Sequence, residues 1–314
     1  MDLFVPTLNQ MVYLFAFIII GYIIAKLRIV PTGSEGILAK LENCLFIPAL
    51  VLKTFMQHFT VSNLETTWKL LVFGFAVDAV VIPLSIISSR LVSKDTYIRN
   101  ICIYGLCFAN FAFMGNAIVE SIFPESFYAY MVFTLTLWIP IYLWGVPELL
   151  VSDGKKKTIP QRLKSFVNPM FVAMIIGMII GLLSIPVPQS IGNVINVSAS
   201  CMSPIAMLLT GFTIARIDIK KTLVKSTVYI ISALRLLIFP LIAIGIFAIL
   251  PFELPDSYVI CAVCSIAMPL GLNTIVIPAA YGRDTSVASG MALISHIIAI
   301  ITIPLMFMLL RMIL

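Results

Sequence analysis

The sequence predicts an all-α polytopic membrane protein of ten transmembrane helices, on the strength of its composition, its apolar runs and its distribution of positive charge. Of its 314 residues, 61% are hydrophobic and only 11% are charged, and the mean hydropathy is +1.11. A soluble domain carries about 25% charged residues, so this chain lacks the means to cover a core with a polar surface. A spanning helix needs about 20 mostly apolar residues. Such runs fall near 8–26, 37–57, 67–91, 98–123, 127–151, 168–185, 190–215, 226–250, 257–280 and 286–312. The first has no basic segment before it and no cleavage site after it, so it is expected to remain as a span.

The charges test the count. With ten spans, the loops after spans 1, 3, 5, 7 and 9 share one side and hold sixteen of the twenty Lys and Arg residues. Only Lys53, Lys69 and Arg311 fall to the other side, and Arg235 lies within a span. Positive charge marks the cytoplasmic face, which sets both termini on the non-cytoplasmic side of a multi-pass protein of the cell (inner) membrane. The net charge of +6 is thus a topological signal, and no nucleic-acid partner is implied. The largest loop, 152–167, is a basic cytoplasmic linker that anchors topology and faces anionic membrane lipid. The six cysteines lie in or beside apolar runs. Cys261 and Cys264 therefore read as helix-packing residues, despite their redox-like spacing.

The linker separates two similar halves, 1–151 and 168–314. Ile101-Cys102 through Asn110 in span 4 lies over Ile260-Cys261 through Pro269 in span 9, an offset of 159, and Glu125 lies over Asp284 at the same offset. In spans 3 and 8, Asp78 through Pro83 lies over Arg235 through Pro240, an offset of 157. Five spans per half is an odd number, so the two repeats are inverted. Inverted repeats build many secondary transporters, which bind solute near the midplane where helices are broken.

Two stretches read as such breaks. The segment Phe108–Asn116, FANFAFMGN, puts two asparagines and a glycine inside span 4, and Ala267–Asn273, AMPLGLN, puts a proline, a glycine and an asparagine inside span 9. Unpaired backbone groups cost several kcal/mol each in hydrocarbon, roughly, so a helix is interrupted only where it is buried in protein or lines a cavity. Pro269 and Pro278 remove amide donors, Gly115 and Gly271 permit bending, and Asn110, Asn116 and Asn273 supply polar partners. Crossing half-helices direct N-termini at one point, which favours an anion. Asn110, Gly115, Asn116, Pro269 and Asn273 are the expected substrate-binding residues; the blander reading makes the asparagines helix glue.

These motifs resemble the auxin efflux carrier family, which includes plant auxin exporters and bacterial malate or malonate permeases. Asn110 through Gly115 is similar to that family's first crossover. Pro269-Leu-Gly-Leu-Asn273, followed by Ala280-Tyr281-Gly282 and Asp284, is similar to its second. Asn43 with Pro48, Asn168-Pro169, Pro204 with Gly211, and Pro304 also fit, so the resemblance spans the chain. It implies a scaffold of helices 1, 2, 6 and 7 and a transport unit of helices 3–5 and 8–10, moving like an elevator. It implies a small organic anion as substrate, a carboxylate such as malate or malonate above all, with Asn110 near the carboxylate. A homodimer through the scaffold helices is a further expectation. Two positions depart from the family: Asn116-Ala117 stands where a proline is common, and His296 where a small hydroxyl residue is expected.

Asp78 and Arg235 lie inside spans, where each costs roughly 2.5–3.5 kcal/mol without a partner. Their matching positions raise two readings: a structural ion pair, or a coupling site in which Asp78 titrates. His296 titrates near neutrality when unperturbed and is a third residue for coupling, to a proton or a sodium ion, although helix packing is its commoner use. No motif calls for a cofactor or metal, and no nucleophile–base set, H-E-x-x-H or phosphate loop argues for an enzyme. A channel, or a carrier for a non-carboxylate solute, is the alternative.

Overall fold

The computed structural model describes residues 3–151, 166–216, 225–251 and 253–314. Most of the expected linker, 152–165, and the cations Lys220 and Lys221 lie outside these residues. Among the described residues every regular element is helical, apart from one isolated antiparallel bridge between Ala109 and Leu270. Among the described residues, six helices are long and apolar enough to cross a membrane: Phe4–Lys26, Val61–Val92, Pro124–Leu150, Gln189–Ala215, Ser226–Ile249 and Ser286–Arg311. Shorter apolar helices cover Phe111–Ile122, Pro169–Leu183 and Asp256–Ala267.

Local chemistry sets the ends of these helices. Asp95 caps the helix Thr96–Cys107 by accepting from the N–H of Ile98 at 2.9 Å. Asn168 caps Pro169–Leu183 by accepting from Phe171, with Pro169 in the first turn, where its missing N–H costs nothing. That helix closes on Ser184 in the left-handed region at φ 50°. Wide π-helical turns interrupt several helices, among them Glu42–Phe46, Phe111–Gly115 and Leu234–Ile238. Turns of this kind gather at functional sites.

The chain divides into two compact units, each drawing on both halves of the sequence. The first comprises 1–12, 71–162 and 216–314; the second comprises 13–70 and 163–215. Within the second, helices approach through glycines. A Cβ on Gly211 would run into the carbonyl oxygen of Ile18, and one on Gly181 would lie 2.6 Å from that of Phe59. Small residues at such contacts let backbones touch where no hydrophobic force drives helices together in lipid. The first unit instead buries a layer of polar side chains, including Asp78, Asn110, Asn116, Arg235 and His296.

Candidate functional site

Two interrupted helices meet inside the first unit. The helix Thr96–Cys107 stops, Phe108–Asn110 leaves helical geometry, and a π-helical turn resumes at Phe111 and runs into Asn116–Ile122. The second segment behaves alike. Asp256–Ala267 ends, Met268 is extended at φ −70° and ψ 150°, and helix resumes at Asn273. Pro269 explains the stop, because its ring excludes the residue before it from helical geometry. The two non-helical strands pass antiparallel, Ala109 opposite Leu270, and the N–H of Asn110 donates to the carbonyl of Pro269 at 2.8 Å. The other strand is held from the helix Ser286–Arg311, where the Ser295 hydroxyl accepts from the N–H of Leu270 at 3.2 Å.

Close approach depends on two glycines. A Cβ on Gly271 would sit 3.1 Å from the carbonyl oxygen of Ala109, and one on Gly115 would run into the hydroxyl of Tyr130. That hydroxyl donates to the carbonyl of Phe111 at 3.1 Å, so Tyr130 tethers the first resumed turn.

A helix that stops inside protein leaves carbonyls without partners and a partial negative charge at its C-terminus. Arg235 answers both needs at both breaks. Its Nη1 donates to Leu106 at 2.6 Å, its Nη2 to Ser265 at 2.7 Å and its Nε to Met268 at 3.1 Å. Leu106 and Ser265 stand 159 positions apart, the offset that superposes the two halves of the sequence. One buried guanidinium therefore caps corresponding carbonyls of the two stopped helices, and the planar fork of Arg, unlike the point charge of Lys, can reach all three. The ion pair expected between Asp78 and Arg235 is not formed. The guanidinium is committed to carbonyls, and among the described residues no ion pair joins the two. Asp78 is buried beside Thr136, and its Oδ2 has no hydrogen-bond partner.

Asn110 closes the crossing on its other side. Its Nδ2 lies 3.2 Å from Nε2 of His296, whose Nδ1 lies 2.7 Å from the carbonyl oxygen of Ala292. The Oδ1 of Asn110 is buried with no partner, and so is that of Asn116. The structure thus joins Asn110, Pro269 and His296. It does not hydrogen-bond Asn116 or Asn273 to them; Asn273 instead donates to the hydroxyl of Tyr104 at 3.5 Å. Cys261 and Cys264 are free and buried, as packing residues are.

Sequence reasoning missed Tyr104, Tyr130 and Ser295, whose residue types gave no signal within apolar helices. It also missed Glu42, which is buried in the second unit with both carboxylate oxygens unpartnered. An acid inside an apolar run was the available signal there. Among the described residues, no group of three His, Cys, Asp or Glu side chains is placed to hold a metal ion.

Interrupted helices that cross inside protein are an arrangement by which membrane proteins handle polar solutes. The chain matches the sequence model of the membrane transport protein family over residues 6–162 and 155–307, and it belongs to that family, which includes the auxin efflux carriers. No curated protein matches it.

Proposed function

We propose that this membrane transport protein is a secondary transporter for a small organic anion, a carboxylate such as malate or malonate. In this reading it works by elevator-like alternating access, with the first compact unit carrying the solute. Ten spans in two inverted five-helix repeats, both termini outside the cytoplasm and an inner-membrane location complete the proposal.

The observation that carries it is the crossing itself: two interrupted helices share the Asn110–Pro269 bond while Asn110 keeps a buried, unpartnered oxygen. Electrostatics supports an anion. Arg235 is spent on the C-terminal ends of the two stopped helices, offsetting their negative charge. The N-termini that begin at Phe111 and Asn273 keep their positive ends for a ligand.

Counterflow tests the proposal. Proteoliposomes are loaded with one unlabelled acid at a time (malate, malonate, succinate, lactate, pyruvate or indole-3-acetate), and entry of the labelled acid is followed. Transient accumulation with one acid, lost in Asn110→Ala, is the expected result. No accumulation with any acid, from folded protein, would overturn the carboxylate carrier and direct attention to conductance and to neutral or cationic solutes.

A further inference from the structure

Glu42 is buried in the second compact unit, and neither of its carboxylate oxygens has a hydrogen-bond partner. Leu41 and Leu45 beside it are 44% and 45% exposed, so the acid turns inward from a helix whose other face is apolar and open. Local chemistry puts it there. Pro48 has no N–H to give to the turn before it, and the helix widens instead. The N–H of Ile47 donates to the carbonyl of Glu42 and closes the π-helical turn Glu42–Phe46. Wide turns of this kind gather at functional sites, and an ionisable side chain inside an apolar span calls for a function or a partner.

The turn packs against the helices Ser34–Leu41, Ile47–His58, Pro169–Leu183 and Gln189–Ala215. Their titratable groups are Glu35 and Lys40 on the first, Lys53 and His58 on the second and Cys201 on the fourth, with Cys44 in the turn itself. None of them hydrogen-bonds the carboxylate. Lys40 is exposed and stands two positions back, a spacing that sets it away from the face of Glu42. Lys53 and His58 lie 11 and 16 positions further along, about 16 and 24 Å of helical rise. Glu35 carries the same sign as Glu42, and Cys44 is exposed. Polar side chains of the turn and of these helices are spent on their own backbones. The amide of Asn43 donates to Ala39 at 2.7 Å, and Thr54, Thr210 and Thr213 bond the carbonyls one turn back.

An ionised carboxylate enclosed without a partner is too costly to keep, and such groups are neutralised. One carboxylate cancels one positive charge, so a divalent ion would leave its second charge buried and unpaired. We propose that Glu42 is the binding site for one small monovalent cation, a proton or a sodium ion, within the second compact unit. A proton makes the group a carboxylic acid, and sodium pairs with the carboxylate; either removes the uncompensated charge. This inference goes beyond the proposed carrier: no residue of the crossing takes part in it, and its tests use no solute.

Two measurements on the full chain in nanodiscs test it. The first is thermal melting of wild type and of Glu42→Gln, whose amide keeps the shape without the charge. A cation that binds the folded state stabilises it by mass action. Raising the pH from about 6 to about 9 in choline chloride, well above the ordinary range of a carboxyl, withdraws protons and supplies no sodium. The wild-type melting temperature should then fall by several degrees more than that of the variant. Recovery on replacing choline with sodium identifies sodium as the occupant, and no recovery identifies the proton. The second measurement is labelling with dicyclohexylcarbodiimide, which reacts with a protonated carboxyl in apolar surroundings. The acid's proton passes to a carbodiimide nitrogen as the carboxyl oxygen bonds the central carbon. Peptide mass spectrometry should find Glu42 modified at the low end of that range and about tenfold less at the high end, with sodium protecting it at fixed pH where sodium is the occupant. Labelling reads the wild-type protein and so decides the matter even where Glu42→Gln does not fold. A melting dependence equal in the two proteins, or a Glu42 that labels alike or not at all under every condition, would overturn the proposal.

Discussion

The two compact units bury polar groups in different ways. In the second, buried hydroxyls bond back onto their own helices, Thr54 to Leu50, Thr210 to Ala206 and Thr213 to Leu209. Their polarity is satisfied locally, and glycines such as Gly211 and Gly181 let the helices meet backbone to backbone. In the first, hydroxyls such as those of Ser85 and Ser232 are satisfied locally too, but other buried polar groups reach across the unit, and several are left incomplete. Arg235 bonds residues 30, 33 and 129 positions away, while Asp78, Asn110 and Asn116 each keep an unpartnered oxygen. An unpartnered buried polar atom costs about 1–3 kcal/mol. At the crossing, the proposed function assigns that cost to a group left for the solute. The lesson is that burial of polarity does not by itself single out a region; incomplete satisfaction sets the two units apart. By the same measure Glu42, whose two carboxylate oxygens are buried without a partner, departs from the pattern of the second unit.

Replacing Arg235 separates the two modes most sharply. Arg235→Met strands three buried acceptors at about 1–3 kcal/mol each, so a loss of roughly 3–9 kcal/mol and most of the folded yield is expected by size-exclusion profile and thermal melting. Arg235→Lys keeps the charge but not the fork, and should fall between the variant and the wild type. An Arg235→Met protein that melts like wild type would break the account of the crossing.

In the second unit, Gly211→Val places a side chain against the carbonyl of Ile18. Overpacking of this kind costs about 1–3 kcal/mol, and the melting temperature should drop accordingly. Gly192, whose Cβ would meet nothing within 4 Å, supplies the contrast: Gly192→Ala should be neutral or slightly stabilising.

The smallest effect is expected at Asp284, outside the spans. Its carboxylate accepts from the N–H and the hydroxyl of Ser286, both at 2.9 Å, and these bonds hold its pKa below the usual carboxylate value. A depressed folded-state pKa contributes stability that is complete above the unfolded value near 3.9 and is lost as pH falls below it. Acidification through that window should therefore lower the melting temperature of wild type slightly more than that of Asp284→Asn. An equal or larger drop in the variant would contradict the assignment.

Much of this was legible in the chain because hydrocarbon is an exacting solvent. Composition alone requires helices, and a proline or asparagine inside an apolar run requires explanation. That is why Asn110 and Pro269, now joined by a backbone bond, stood out in the sequence. Repeat offsets were less reliable as a guide to contacts. They pointed to a pair between Asp78 and Arg235, whereas the guanidinium went to main-chain carbonyls, which every residue has and no sequence pattern displays. His296 was visible as an oddity, but its tie to Asn110 spans 186 positions and depends on packing that one sequence does not reveal. Tyr130 and Ser295 had no signal at all, since their roles rest on where their hydroxyls point.

The central claim is that the Asn110 crossing is where solute is bound, and one comparison tests it most directly. Counterflow of the transported acid is measured in Asn110→Ala and wild-type vesicles prepared alongside melting curves of the same proteins. Removing the amide costs only its bond to His296, about 1 kcal/mol, so the melting temperature should move by a few degrees at most. Counterflow, in contrast, should fall at least tenfold, the equivalent of about 1.4 kcal/mol in binding. Counterflow that survives intact in a variant melting like wild type would contradict the claim.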